Sequence, residues 1–233
     1  SIYIRSNGSV EGTDKIQRDG NVYTFTDNIY EGINVQRDNI VVDGAGYTLQ
    51  GTGAFVSTGI DLTGGSNITI KNMEIRAFYY GIRLYESSNN SISGNTITSN
   101  EKSGIYLHYS SDNTISVNSI TNNEYGIRFY GSSNNSVSGN TVTNNEWDGI
   151  DLWFSSSNSV SGNNIRNNSY GIYFHSSSDN TISGNNIKAN NEYGIYLWRS
   201  SNNYIYHNNF VDNTQQVNIH SSTTVWDDGA GKG

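Results

Sequence analysis

Asp148 and Asp151 stand three residues apart in the stretch EWDGIDLWFSSSNS, between Trp147 and Trp153. Two neighbouring carboxylates can divide one proton between them, so that one serves as acid and the other as base, which is how glycosidic bonds are commonly cleaved. The spacing is loose for this purpose. Three residues of extended chain reach about 10 Å, beyond the ~5–5.5 Å of a retaining pair and at the edge of the ~6.5–9.5 Å inverting range. Arg128 and His175 would complete a candidate catalytic set with Asp148 and Asp151 if adjacent strands bring them alongside.

Whether they do depends on the elements around them, and these are repetitive. Anchored on glycine, the chain reads GIDL at 59, GIRL at 81, GIYL at 104, GIRF at 126, GIDL at 149, GIYF at 171 and GIYL at 194, at intervals of 22 or 23 residues. GINV at 32 and QVNI at 216 extend the series. Each unit carries short alternating β-branched stretches separated by Asn, Ser and Gly, with none of the Ala, Leu, Glu and Lys periodicity of a helical repeat. Three short strands and three turns per unit predict an all-β, right-handed, single-stranded parallel β-helix of about 8–9 coils. The domain reading is an N-terminal β cap over 1–31, the helix over 32–225, and a C-terminal tail over 226–233, from which the chain is expected to continue.

Composition fits such a rod. Only 33% of residues are hydrophobic and there is neither Cys nor Pro, which raises the question of disorder, but 17 Tyr, 7 Phe and 4 Trp are too many aromatics for a solvated coil. The net charge of −8 argues against nucleic acid. No apolar run is long enough to cross a bilayer. Absence of Cys removes disulfides and thiolate metal sites together. Two Asn columns, one from Asn90 to Asn203 and one from Asn95 to Asn208, keep register through six units. They predict inward-facing amide ladders that bond to each other and to the turns.

Alternation along each GI strand sends its third and fifth residues outward. The third-residue column holds Asp61, Arg83, Tyr106, Arg128, Asp151, Tyr173 and Tyr196, so that Asp61 faces Arg83 and Arg128 faces Asp151 as ion pairs one coil apart. The fifth-residue column holds Tyr85, His108, Tyr130, Trp153, His175, Trp198 and His220, and Tyr80, Tyr125, Tyr170 and Tyr193 recur just before the glycine. Such a strip either stacks on itself or offers flat rings to sugars. The candidate ligand residues are Tyr106, Asp151, Tyr173 and Tyr196 of the third column, with Tyr85, His108, Tyr130, Trp153, His175 and Trp198 of the fifth.

No metal site and no cofactor are expected. His108 and His175 fall three coils apart, about 14 Å, too far to share an ion whose imidazole bonds are about 2.0–2.1 Å. Sequons at Asn67, Asn89 and Asn134 fall on the variable outward turn and are candidate glycosylation sites.

The repeated SSNNSISGN and SSDNTISGN units, with NIVVDGAGYTLQGTG upstream, resemble the NosD-type, carbohydrate-binding and sugar-hydrolase (CASH) β-helix repeats over roughly Gly32 to Val225. The resemblance implies a pectin-lyase-like solenoid, common in archaeal surface and secreted proteins. Within that fold it spans pectin-active enzymes, epimerases, copper-site maturation proteins and adhesins. Gly-His-Gly, Asp-Pro-His and Arg-Ile-Lys signatures of the wider superfamily do not occur, so no catalytic residue carries over. The resulting expectation is a non-catalytic extracellular or cell-surface β-helix that contacts polysaccharide or takes part in surface assembly. Its C-terminal edge is a candidate for end-to-end self-association. A purely structural stalk or adhesin module and a polysaccharide lyase, hydrolase or epimerase are the alternatives.

Overall fold

The computed structural model describes residues 1–226, which form a right-handed parallel β-solenoid of about nine turns. From residue 227 onward the expected C-terminal tail lies outside the described residues. Three sheets run the length of the solenoid, two of eleven strands and one of eight, and each GI strand pairs in parallel with those of the preceding and following coils.

Each coil buries little apolar surface, but does so at identical positions. Ile82, Ile105, Ile127, Ile150, Ile172 and Ile195 stack on the GI sheet, opposite Ile92, Ile115, Val137, Val160 and Ile182 of the second sheet and Ile97, Ile120, Val142, Ile165 and Ile187 of the third. A low hydrophobic fraction therefore suffices, because every rung reuses one narrow core.

The corners are polar and closed by side chains. Both expected Asn columns are buried except at the half-buried Asn208, and a third runs beside them through Asn100, Asn123, Asn145, Asn168, Asn190 and Asn213. In the second column the Asn140 side chain accepts from the Asn118 backbone N–H at 2.9 Å and from its amide at 3.0 Å. It donates in turn to Ile115 O at 2.9 Å and Asn163 Oδ1 at 3.0 Å. The residue before each first-column Asn has positive φ: Asn89, Asp112, Asn134, Ser157, Asp179 and Asn202. Asn and Asp tolerate this conformation best, which explains their frequency there.

The segment expected as a cap is built onto the rod's own sheets. Ile2–Ile4 pairs in parallel with Ile33–Val35, and Val22–Phe25 pairs in parallel with Ile40–Asp43 and antiparallel with Ile16–Asp19. Tyr23 and Phe25 fill the core at this end, and the Tyr23 hydroxyl donates to Gly8 O. Asn67, Asn89 and Asn134, the candidate glycosylation positions, are all exposed at positive-φ turns.

Candidate functional site

Glycine sets the geometry of the GI face. In each of these strands the glycine and the following isoleucine both face the interior, so strict alternation fails once per coil. At Gly149 an added Cβ would lie 2.7 Å from Gly171 O, 2.8 Å from Ile165 Cγ2 and 2.9 Å from Asn168 Nδ2, a space only glycine can occupy. Two inward residues in succession return the residue before the glycine to the outer face, beside the third and fifth residues. Asp148 and Asp151 therefore share one face, despite the odd spacing that made their pairing look loose in the sequence.

This rung differs from its neighbours in burial. In the strands Tyr125–Tyr130, Tyr170–His175 and Tyr193–Trp198 the outward positions are half-buried, whereas in Asp148–Trp153 everything except Trp153 is buried. Asp148 is 6% exposed and Asp151 is 0% exposed. Asp151, expected on the open face, is thus covered rather than free. The strands align Arg128 beside it on one side and Tyr173 on the other, while Tyr170 lies beside Asp148.

The expected ion pairs form. Arg128 Nε lies 3.0 Å from Asp151 Oδ2, and Arg83 lies 3.9 Å from Asp61. The Arg128 N–H is not directed along the line to Asp151, so the pair is an ionic contact without a well-aligned hydrogen bond, and the Trp153 side chain is the other group that approaches the carboxyl. The Arg128 guanidinium also stands 4.5 Å from the Tyr125 ring centre and 5.9 Å from that of Trp153. Burial pushes Asp151 up to about 7, against the pull of Arg128 and the approach of Trp153. Asp148 is raised well above the usual carboxylate range, first by burial and then by the charge of Asp151, with Glu192 adding to it and Arg128 opposing. Burial likewise pushes the Tyr125 and Tyr173 phenols up to about 12. At neutral pH the tyrosines are therefore fixed as neutral groups, and the two aspartates are the groups that can exchange a proton.

Over Asp148 opens a depression of about 310 Å3, walled by Tyr125, Trp147, Trp153, Tyr170, Tyr173 and Tyr196. Trp147 is 47% exposed and stands at its rim. Tyr173 and Tyr196 are stacked at 5.4 Å, as are Tyr170 and Tyr193 at 5.5 Å. Of the candidate ligand residues, Trp153, Tyr173 and Tyr196 line this space and Asp151 lies buried next to it. The others are elsewhere on the face. Tyr85, His108 and Tyr130 make a chain of edge contacts at 5.0 and 5.1 Å, with Tyr106 against His108.

The candidate catalytic set is split. Asp148, Asp151 and Arg128 come together, but His175 does not line the depression: it packs on Trp153 at 4.0 Å and meets Trp198 edge-on at 4.3 Å. Burial lowers its proton affinity and its Nδ1 is sequestered without a hydrogen bond. Sequence reasoning undervalued the walls, Tyr125, Tyr170 and Trp147, and overlooked Glu192. The signal was present in the tyrosine recurring before the glycine, once that glycine is known to turn inward.

No curated protein sequence matches the chain significantly. Among solved structures it is similar to the periplasmic alginate epimerase AlgG, with 22% identity over 91% of this chain and 53% of that one and a TM-score of 0.66. It is similar to DFA-IIIase from Arthrobacter chlorophenolicus A6, with 17% identity over 86% of this chain and 56% of that one and a TM-score of 0.71. It is also similar to the alginate lyase from Paenibacillus sp. str. FPU-7, with 14% identity, coverage of 85% and 90%, and a TM-score of 0.59. The likeness at these identities establishes the fold, and the chain spans about half the length of the first two. A family model described as periplasmic copper-binding protein (NosD) matches residues 33–232. The residues present do not fit a copper ion: there is no Cys, the single Met73 is buried in the core, and among the described residues no three His, Cys, Asp or Glu converge as metal ligands. By the extent of that match, the chain belongs to the NosD family.

Proposed function

We propose that the chain is a polysaccharide-binding β-helix that acts outside the cytoplasm, in the periplasm or at the cell surface, and seats a sugar ring in the depression over Asp148. The carrying observation is the wall of six aromatic side chains around a buried carboxyl in a space of about 310 Å3. Flat rings bury the apolar faces of a pyranose while a carboxyl accepts from or donates to its hydroxyls, and pockets of this size and polarity are the usual form of small-ligand sites. The periplasmic description of the family model and the polysaccharide enzymes among the structural neighbours support the compartment and the ligand class.

The test is a titration of neutral and acidic soluble glycans followed by intrinsic tryptophan fluorescence, because Trp147 and Trp153 flank the seat. Wild type is expected to bind at least one glycan class, and Trp147→Ala combined with Tyr196→Ala to weaken it at least tenfold. A protein that binds none of the panel is a structural stalk or adhesin module. One observation favours a second reading, a polysaccharide-active enzyme working through Asp148, Asp151 and Arg128: burial raises both carboxyls, Asp151 to about 7, so that one of the pair can hold a proton as acid while the other serves as base. New reducing ends or unsaturated products from a bound glycan, lost in Asp148→Asn, would establish it.

A further inference from the structure

The floor of the depression is one positive charge short. Two carboxylates, Asp148 and Asp151, are buried side by side, and a single guanidinium, Arg128, is placed to neutralise them. Asp148 lines the depression, is 94% buried by its 6% exposure, and has no hydrogen-bond partner among the described residues. Asp151 has Arg128 and the Trp153 side chain beside it, but no well-aligned hydrogen bond to either. Buried carboxylates left in this state are costly unless a cation or a proton joins them. The surrounding aromatic faces are suited to the former, as Arg128 already demonstrates by resting over Tyr125 and beside Trp153.

We propose that the depression binds a primary ammonium group over Asp148, supplied by the free amine of an amino sugar. This inference rests on the glycan reading above and narrows it from polysaccharides in general to those carrying unacetylated amines. The ammonium offers three donors to the open Asp148 carboxylate and a compact charge to the walls of Tyr170, Tyr173 and Trp147.

A proton exchange accompanies binding. In the free protein Asp148 carries the missing positive charge as a proton, since burial and the charges of Asp151 and Glu192 favour its neutral form. When the ammonium enters, its charge replaces that proton, which leaves the Asp148 carboxyl for solvent, and no bond to the ligand forms. Other titratable or charged groups facing the pair are Arg128 and Tyr125 from the preceding coil, Tyr170 and Tyr173 from the following one, and Glu192 and Tyr196 from the next. Burial raises the Tyr125, Tyr170 and Tyr173 phenols, which keeps them neutral, so the exchange belongs to the carboxyls.

Calorimetry at about pH 6, where a sugar amine is charged, tests this with the whole chain. The ligands are a glucosamine oligomer, the N-acetylated oligomer of equal length, and spermidine, each titrated in two buffers of different ionisation enthalpy. Expected is at least tenfold tighter binding of the glucosamine oligomer than of its acetylated counterpart, with a net release of protons that the acetylated ligand does not cause. Asp148→Asn is expected to abolish the proton release and collapse the preference, and Glu192→Gln to reduce it while retaining the release. Equal affinities without proton release overturn the ammonium inference and leave glycan binding intact. Failure of all oligosaccharides, acidic glycans included, overturns both, and tight spermidine binding alone overturns the saccharide source.

Discussion

Asp151 combines complete burial, an arginine 3.0 Å away, and carboxyl oxygens without a well-aligned hydrogen bond. The pairing with Arg128 was legible in the sequence because a fixed repeat places like positions one coil apart. Its burial was not, because it depends on neighbouring side chains of sizes the repeat does not specify. The consequence is an inverted dependence of stability on pH. An unfolded aspartate titrates near about 3.9, whereas folded Asp151 titrates at about 7, so between these values the folded state holds more protons than the unfolded state. Stability from this group is fully present below the unfolded value and is lost as pH rises through about 7, and Asp148, raised as well, acts in the same direction. Urea melts from about pH 4 to pH 9 are expected to show the midpoint falling across the neutral range, and Asp148→Asn to raise the midpoint most at the alkaline end. A wild-type midpoint that rises with pH through this range would show that the pair is not protonated in the fold.

At the scale of the strand and turn, two devices hold the rungs, and both were partly visible beforehand. Asn columns could be aligned by eye, and their burial follows from their constancy beside variable neighbours such as Ser157 and Asp179. The direction of the glycine could not be read, since alternation from Gly149 predicts the wrong facing for Asp148. Only the corner shows why: the Gly149 Cα packs against Gly171 O of the next coil. Gly149→Ala must displace backbone and is expected to destabilise the fold while moving Asp148 away from the aromatic walls. Asn140→Ala removes one link of a ladder and strands the buried backbone N–H of Asn118, whose amide keeps Ile92 O and Ser116 O, at about 1–3 kcal/mol for the group left unsatisfied. Asn134→Ala, at an exposed positive-φ turn, should cost less than Asn140→Ala by denaturant melting, because it strands no buried group. Equal losses for the two variants would mean that the ladder contributes no more than the turn conformation.

Across the whole molecule, the repeat makes the face nearly uniform and local composition makes one place on it different. Phe154, just outside the fifth-residue column, bridges it, with Tyr130 edge-on to Phe154 at 5.7 Å, Phe154 against His175 at 5.3 Å and His175 against Trp198 at 4.3 Å. Rings satisfied by one another in this manner stabilise the rod and leave less of their faces for a ligand. The depression over Asp148 has the reverse character, a recess with a buried carboxyl at its floor, and its volume of about 310 Å3 is confined to the rungs of Tyr125, Asp148, Tyr170 and Tyr196. A rod that bound glycan through its entire aromatic column would gain affinity with each added sugar, whereas one with a single seat gains little once the seat and its immediate flanks are filled. Affinity for a series of oligomers is therefore expected to plateau at short length, and Tyr85→Ala, several coils away, to leave the plateau unchanged. Continued gain with length, abolished by Tyr85→Ala or Tyr130→Ala, would instead assign binding to the column and make the depression only its deepest point.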